Sequence, residues 1–391
     1  MPTLADVDLV ADRLPGRELH DVLATARETD GLARVSLLGA PGLAITRHAE
    51  LKAFFADDAQ FPGGESYQFM VEPAVGRTFI SMDGDEHDAY RRLATPAFRS
   101  RRVSTWVDDD LVPLAHEIVD RFAARGEADL VVELTQVLPL WAISRKLGLP
   151  MGSEERQRVW TRALLAQPAD PDGAARARAE VTAFLAPIVT ARRDAPGDDV
   201  LSHLLGHEHE GLRMTDEEVV SHIRLLYVVG AATTSDGLSS LLFHLLSRPA
   251  LLDRARQEPD LRPRVVAESL RYDPPVCTLP RLAPTGGTIG SSEVAPGTLV
   301  LCAIASANRD PRVFPDPDRF DPDRDHTEML TFGFGQKYCP GAHLGRSEIA
   351  AALDVVLERL PNLRLVDATE PAGAIMRSVD RLQVAWDPIH R

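Results

Sequence analysis

The longest helical pattern in this sequence begins at Thr215 and ends just before Pro249. Thr215 and Glu218 form a capping box, in which the two residues satisfy each other's free backbone donors, and a proline cannot continue a helix. At 1.5 Å per residue, about 30 residues extend roughly 45–50 Å, so this helix must cross the protein. Gly230 and Thr233 are poor helix formers near its middle, which predicts a close approach to the backbone around Gly230.

The remaining pattern predicts a mainly α fold with small β-sheets, in a single domain that covers residues 1–391. Periodicity and turn residues predict helices over about 85–270 and 342–360, and strands over about 30–60, over about 276–306 and near the C-terminus. Proline and glycine among aromatic residues predict a long loop over Phe61–Thr78.

Composition excludes several classes of protein. The formal net charge is -15 and there is no lysine-rich run, whereas binding to phosphate backbones requires a basic surface. The N-terminus is unlike a signal peptide, and no apolar run reaches the roughly 18–20 residues that span a bilayer. We therefore expect a cytoplasmic protein with neither nucleic acid nor a membrane as partner.

The strongest chemical signal is the segment from Phe332 to Gly341, with the sequence FGFGQKYCPG. Backbone N–H groups of a glycine-rich loop point at the sulfur of Cys339 and favour its thiolate form, and so does the N-terminus of the helix that follows. Such a sulfur is a nucleophile or a metal ligand. Cys277 and Cys302 form no Cys-x-x-Cys pair with it, so neither a zinc knuckle nor a disulfide framework is expected.

This loop resembles the haem loop of the cytochrome P450 family, Phe-x-x-Gly-x-(His/Arg)-x-Cys-x-Gly. The resemblance implies the cytochrome P450 fold, with a long distal helix over a buried haem b whose iron is held by Cys339. It makes Phe332, Lys337 and Gly341 cofactor-binding residues. Lys337 keeps the charge of the basic position but lacks the planar fork that pairs with a carboxylate through two hydrogen bonds.

Three further motifs follow in the family's order. Each alone is more often an ordinary ion pair or a polar helix face. The resemblance implies that Glu268, Arg271 and Arg319 form a structural triad. It also implies that the haem propionates are contacted by His87 and Arg91, in a His-x-x-x-Arg pattern, and by Arg281, in a β-prone stretch.

The middle of the long helix resembles the oxygen-binding segment of the family, (Ala/Gly)-Gly-x-(Asp/Glu)-Thr. Gly230 takes the glycine position and Thr233 the threonine position, so that Ala232 replaces the acid. A shift by one residue would instead place Thr234 at the threonine position, still without an acid. Protons for oxygen activation then come from water, from Thr234, Ser235 or Asp236, or from a group on the substrate, unless the enzyme needs no relay.

The family's substrate contacts fall on largely apolar stretches of this chain, which implies a lipophilic substrate. The residues expected to contact it are Tyr67, Phe69, Val229, Val276, Leu279, Ile375 and Met376. No dinucleotide fingerprint or flavin module is present, so no bound flavin or NAD is expected. The resemblance implies electrons from a ferredoxin and its reductase, for which Arg99, Arg101, Arg102 and Arg346 are suitable contacts, and we expect a monomer.

The resemblance implies a haem-thiolate monooxygenase that inserts one oxygen atom of O2 into a small molecule. Hydroxylation or epoxidation in secondary metabolism, or in lipid or terpenoid catabolism, is the expected reaction. Because Ala232 replaces the acid, a peroxide-driven or one-electron haem-thiolate enzyme is the alternative. A non-catalytic haem sensor is the third hypothesis, which the threonine over the haem and the substrate stretches disfavour.

Overall fold

The structure is a computed structural model that describes residues 3–29 and 31–388. Its α-helices are α1 (Glu18–Glu28), α2 (His48–Ala56), α3 (Gly64–Met70), α4 (Glu72–Val75), α5 (Gly84–Ala94), α6 (Ser100–Trp106), α7 (Val112–Asp120), α8 (Leu138–Leu147), α9 (Glu154–Leu165), α10 (Pro171–Asp194), α11 (Val200–Gly206), α12 (Asp216–Leu246), α13 (Pro249–Gln257), α14 (Arg262–Tyr272), α15 (Ile304–Ala307) and α16 (Ala342–Arg359).

The strands are short and form three small sheets, which confirms a mainly α fold with small sheets. They are β1 (Leu32–Leu37), β2 (Ala40–Ile45), β3 (Glu127–Asp129), β4 (Leu279–Ala283), β5 (Gly287–Ile289), β6 (Ser292–Val294), β7 (Thr298–Cys302), β8 (Arg364–Ala368) and β9 (Leu382–Ala385). The sheet orders are β1-β2-β7-β4, β3-β9-β8 and β5-β6. In the four-stranded sheet β2 and β7 run parallel, and the other pairs are antiparallel.

The four-stranded sheet carries a core on each face because neighbouring residues of a strand point to opposite sides. Ala44 and Leu301 face one apolar cluster, together with Leu19 and Leu23 of α1. Their neighbours along β2 and β7, such as Ile45, face a second cluster that includes residues of α2. The sheet is therefore buried on both faces.

The described residues form two compact units. The first is drawn from Met1–Pro62, Val107–Thr135 and Thr233–Arg391, and the second from Gly63–Trp106 and Gln136–Ala232. Every strand described belongs to the first unit, whereas the second is built of helices, with α10 packed against α4, α9 and α11. A single domain over the whole chain stays a prediction.

Helix α12 confirms the long helix with its capping box. It has 31 residues, or about 46 Å. The Glu218 carboxylate accepts hydrogen bonds from the N–H and the hydroxyl of Thr215, and the N–H of Glu218 donates to the Thr215 hydroxyl. The helix ends at Leu246, three residues before Pro249.

An 18-residue window of α12 has a mean hydropathy of 1.2, which together with its length meets the criteria for a membrane span. Of that window 67% is buried inside the protein. Burial of this kind is the ordinary reason for an apolar helix in a large core, so the hydropathy of α12 is explained by packing.

The long loop predicted over Phe61–Thr78 is wrong, because α3 and α4 occupy most of it. The N–H of Gly64 at the start of α3 donates to the carboxylate of Asp83, nineteen residues later in the chain. Gly76, at φ +90°, ends α4. The cap of α3 is therefore remote in sequence, and local turn residues alone indicated a loop.

Candidate functional site

The segment Phe332–Gly341 folds as a tight loop that leads into α16. Gly333 and Gly335 have φ values of +72° and +73°, in the left-handed region that favours glycine. A Cβ on Gly335 would lie 2.4 Å from the carbonyl oxygen of Phe55 in α2, so only glycine fits there. The N–H of Cys339 donates to the carbonyl oxygen of Phe332 at 2.9 Å, which closes the loop.

Cys339 differs from the other two cysteines in its surroundings. It is partly accessible and precedes the first turn of α16, an 18-residue helix whose N-terminal dipole favours an anionic sulfur. Its Sγ lies 3.9 Å from the position of a Cβ on Gly341. Cys277 and Cys302 are fully buried, and burial raises the pKa of each thiol to about 12. Cys339 is therefore the cysteine suited to bind a metal as thiolate.

Side chains brace this loop. The Arg346 guanidinium of α16 lies 4.2 Å from the ring centroid of Phe332, and the Lys52 ammonium of α2 lies 5.1 Å from that of Phe334. Lys52 also pairs with Glu328 at 2.6 Å. A fixed loop with one accessible thiol and exposed aromatic rings fits a thiolate-bound, largely apolar group such as haem.

The middle of α12 is more accessible than the buried stretch that precedes it. Val229 is 37% exposed, Ala232, Thr233 and Asp236 are partly exposed, and residues 221–228 before them are buried. These four positions lie three or four residues apart, which places them on one side of the helix. The Thr233 hydroxyl and the Asp236 carboxylate therefore belong to the same face as Ala232.

Gly230 and Thr234 of α12 both pack closely against neighbouring helices. A Cβ on Gly230 would lie 2.8 Å from Cγ1 of Ile143 in α8, so the close approach predicted at Gly230 is made by that side chain. Thr234 is buried, and its Oγ1 lies 3.6 Å from the position of a Cβ on Gly345 in α16. Of the two threonines, Thr233 is thus the one with the more accessible side of the helix.

Glu268 and Arg271 form the predicted buried pair. Arg271 donates from Nε and Nη2 to the two oxygens of Glu268, at 2.7 and 2.8 Å. Both side chains are fully buried. Burial alone would raise the pKa of Glu268, but hydrogen bonds from Arg271 and His326 and the Arg271 charge lower it to about 2.

The prediction that Arg319 is the third member of this triad is wrong. Its side chain is 71% exposed and lies 3.8 Å from Asp321. Only its backbone carbonyl reaches Arg271, at 3.5 Å. The Glu268 carboxylate instead contacts Nε2 of His326 at 3.0 Å and Nε of Arg324 at 3.7 Å. The predicted residue lies in the right loop, but its backbone turns the side chain outwards.

The predicted propionate contacts His87, Arg91 and Arg281 lie on two elements. In the second unit, His87 is fully buried on α5 and donates from Nδ1 to the carbonyl oxygen of Phe79 at 2.6 Å, and Arg91 follows one turn later, partly exposed. In the first unit, Arg281 is buried on β4, opposite Val300 of β7. Their contact with a propionate stays a prediction.

The predicted substrate residues divide in the same way. In the first unit Val276 and Met376 face each other in a β-bridge, the N–H of Cys277 donates to Ile375, and Leu279 begins β4. The structure therefore brings these apolar residues together. In the second unit Tyr67 and Phe69 lie on α3, where Phe69 is 73% exposed. The role of each residue stays a prediction.

A buried cluster around Asp273, at the C-terminal end of α14, was not predicted from the sequence. Its Oδ1 accepts from His20 Nε2 at 2.7 Å and from Arg377 Nε at 2.8 Å, and its Oδ2 from His244 Nε2 at 2.7 Å. All four side chains are at most 5% exposed. These residues, which we call the Asp273 cluster, hold the chain next to Ile375 and Met376.

Charges in the Asp273 cluster are set by burial and by arginine. Burial by itself would raise the pKa of Asp273, but the Arg377 charge and hydrogen bonds from His20 and His244 hold it well below its ordinary value. Burial, assisted by the Arg309 charge, lowers the pKa of His20 to about 3. The pKa of His244 is lowered by burial as well. At neutral pH the cluster thus combines one carboxylate, one guanidinium and two neutral imidazoles.

Comparison with known proteins gives one consistent result. A sequence profile described as cytochrome P450 matches residues 173–365. The chain is 34% identical to nocardicin C N-oxygenase of Nocardia uniformis subsp. tsuyamanensis over 94% of this chain and 96% of that protein. It is 31% identical to mycinamicin IV hydroxylase/epoxidase of Micromonospora griseorubida, over 95% and 98% of the two chains.

Solved structures agree with these relatives. The cytochrome P450 CYP109Q5 from Chondromyces apiculatus superposes with a TM-score of 0.88 and 28% identity, over 100% of both chains. With its cysteine loop, its long central helix and this similarity over nearly the whole length, the chain belongs to the cytochrome P450 family and is an oxidoreductase of the monooxygenase class, for which haem is the implied cofactor.

Proposed function

We propose that this protein uses haem b, held through Cys339, to insert one oxygen atom of O2 into a lipophilic small molecule. The observation that carries the proposal is the environment of Cys339. It is the accessible cysteine of the three, in a rigid glycine loop at the N-terminus of α16. Haem bound through a thiolate supplies the binding and cleavage of dioxygen.

The cationic side chains provide the second part of the cofactor site in this proposal. His87, Arg91, Arg281 and Lys337 would donate hydrogen bonds to the two propionates, while Phe332 and Gly341 shape the loop around the thiolate. Arg281 suits this role because its guanidinium is buried on β4, where a fixed direction and low solvent screening strengthen a charged hydrogen bond. No flavin or NAD would be bound.

Thr233 is the residue of α12 that we assign to oxygen activation. Its hydroxyl can donate a hydrogen bond and pass on a proton, and the residue is partly exposed. Ala232 can do neither. Asp236, one turn further along the same face, can take up protons from water, and a hydroxyl of the substrate can complete the path. The residues present thus supply a proton path without an acid at position 232.

The substrate proposed is a lipophilic secondary metabolite, and the reaction is hydroxylation or epoxidation. Val276, Leu279, Ile375 and Met376 offer apolar surface from two adjoining segments, as small-molecule pockets do. The relative named mycinamicin IV hydroxylase/epoxidase supports these two reaction types.

Electrons would come from a ferredoxin and its reductase, to a monomeric protein in the cytoplasm. Exposed Arg99, Arg101 and Arg102 around the start of α6 suit an acidic partner, because clustered charges of one sign raise association rates. Arg346 contributes less in this proposal, since its guanidinium covers the Phe332 ring.

The first experiment is an optical spectrum of the purified protein, reduced and treated with carbon monoxide. We expect the long-wavelength Soret band of a thiolate ligand, and we expect the C339S variant to lose it. The matched control is C302A, which changes a fully buried cysteine and should leave the band in place. A histidine-type band in the unaltered protein, or the same band in C339S, contradicts the proposal.

A second experiment separates O2-dependent from peroxide-driven oxidation, the alternative that Ala232 favours. Product formed per reductant consumed is compared with turnover on hydrogen peroxide, in the unaltered protein and in A232E. Dependence on reductant and O2 supports the monooxygenase, and efficient turnover on peroxide alone supports the alternative. An unchanged ratio in A232E would mean that position 232 has no part in proton supply.

A further inference from the structure

The backbone of Phe79 is held by two histidines, one at its N–H and one at its carbonyl oxygen. Its N–H donates to Nε2 of His222 in α12 at 3.1 Å. Its carbonyl oxygen accepts from Nδ1 of His87 in α5 at 2.6 Å. Phe79 begins a short 3-10 turn, Phe79–Ser81, directly before α5. One backbone residue thus connects a side chain of the long helix with the imidazole of His87.

The role of His222 as an acceptor is fixed by its other ring nitrogen. Nδ1 lies 2.6 Å from the carbonyl oxygen of Glu218, which can only accept, so Nδ1 carries the proton and Nε2 is the acceptor for Phe79. Burial lowers the pKa of His222 to about 4, which agrees with a neutral ring. The ring is fully buried and cannot reorient without losing both hydrogen bonds.

Two aromatic rings pack against the same His222 ring. The Phe79 ring lies 5.9 Å from His222, centroid to centroid, at 23° between planes, and the Tyr90 ring lies 6.0 Å away at 10°. Tyr90 also donates from its hydroxyl to Glu218 at 2.5 Å. Tyr90 thus joins α5 to the first turns of α12 through Glu218 and through the His222 ring, and His222 also leads to His87 through the backbone of Phe79.

We propose that His222 is a positioning residue for His87, acting through the backbone of Phe79. This rests on the proposed function, in which His87 meets a haem propionate. His222 holds the N–H of Phe79, and the carbonyl oxygen of the same residue accepts the hydrogen bond from Nδ1 of His87. The ring plane of His87 and the direction of its Nε2 are then set by α12, so the second nitrogen is the one presented to a carboxylate.

The test is the rate at which haem leaves the purified holoprotein for an excess of apomyoglobin, a measurement independent of turnover. H222F keeps an aromatic ring in contact with Phe79 and Tyr90 but removes the acceptor. We expect it to lose haem roughly three- to tenfold faster, the effect of one buried hydrogen bond. H222Q, which keeps an acceptor near the position of Nε2, should restore a rate close to that of the unaltered protein.

Variants of neighbouring residues decide whether the effect passes through His87. Y90F removes the hydroxyl contact with Glu218 and keeps the stacked ring, so it should leave the haem-loss rate unchanged. In an H87A background, H222F should have no further effect, because the residue it positions is gone. Equal acceleration by H222F in both backgrounds would reduce His222 to general support and overturn the proposal.

Failure of the proposal and failure of its premise are distinguishable. If H87A itself releases haem at the unaltered rate, His87 does not contact the cofactor and the premise is wrong. If H87A releases haem faster but H222F does not, the premise stands and the positioning role is wrong. Should H222F not fold, H222L in both backgrounds makes the same comparison, since leucine also lacks the acceptor.

Discussion

Two buried carboxylates near the end of α14, Glu268 and Asp273, are neutralised in different ways. Glu268 is paired with Arg271, one turn away on the same helix. Asp273 is held by His20, His244 and Arg377, which are 253, 29 and 104 residues away in the sequence. The Glu268 cluster is built on a local ion pair, to which a remote loop adds Arg324 and His326. The Asp273 cluster has no local pair and gathers distant parts of the first unit.

The difference shows what each cluster stabilises. Arg271 also donates to the carbonyl oxygens of Asn308 and Pro317, so the Glu268 pair fixes nearby loops around a helix that forms its own ion pair. The Asp273 cluster joins α1, α12 and the C-terminal segment, and none of these contacts can form before those segments meet. Removing a charge from the Asp273 cluster should therefore cost more stability than removing one from the Glu268 pair.

The largest effect is expected for R377M. It removes the guanidinium and leaves the Asp273 carboxylate buried with two neutral imidazoles, which should lower the free energy of unfolding by about 3–5 kcal/mol. Urea unfolding followed by circular dichroism measures it. The matched control is R381M, whose exposed pair with Asp367 should contribute less than about 1 kcal/mol. Similar losses in both variants would contradict the importance of burial.

A smaller effect is expected for E268Q. The change removes the charge next to Arg271, whose bonds to Asn308 and Pro317 remain, so we expect a loss of about 2–3 kcal/mol in the same measurement. R319M is the control from the loop that was first expected to complete this cluster. Because Arg319 is 71% exposed, its loss should be within about 0.5 kcal/mol, and a loss as large as that of E268Q would restore it to the triad.

The two clusters should differ in the pH range over which they change the free energy of unfolding. His20 has a folded pKa of about 3 against 6.5, so the unfolded chain binds more protons and stability falls as the pH drops below about 6.5. Glu268 has a folded pKa of about 2 against 4.5, so its contribution is present above about pH 4.5 and is lost as the pH falls towards about 2.

The measurement is the free energy of unfolding between pH 7 and 4. H20Q keeps a donor for Asp273 but removes the titrating ring, and should reduce the slope by up to about 1.4 kcal/mol per pH unit. E268Q should leave that slope unchanged above about pH 4.5. A slope that H20Q does not alter would assign the acid sensitivity to other groups, of which the buried His222, with a pKa of about 4, is the next to test.

The features predicted from sequence were those whose partners are close in the chain. The capping box of Thr215 and Glu218, the glycine loop before Cys339 and the Glu268–Arg271 pair all depend on contacts within a few residues. Their local geometry follows from the backbone of one helix or loop. The fold class followed from the same periodic patterns.

The features that could not be predicted from the sequence depend on partners that are remote in the chain. The helix α3 is capped by Asp83 from another segment, and the Asp273 cluster has no local pattern at all. The prediction for Arg319 failed in a similar way: the residue lies in a turn that its N–H closes on the carbonyl oxygen of Asp316, and its side chain is 71% exposed. A chain position in the correct loop does not fix which way a side chain points.

The pairing of the four-stranded sheet limits how early this sheet can fold while the chain is being synthesised. The hairpin of β1 and β2 is among the first parts to be synthesised, but the outer edge of β2 pairs with β7, where Ile45 lies opposite Cys302. At ordinary rates of translation the ribosome needs on the order of tens of seconds to reach that strand. For that time β2 keeps an unpaired edge, and its pairing waits for the last third of the chain.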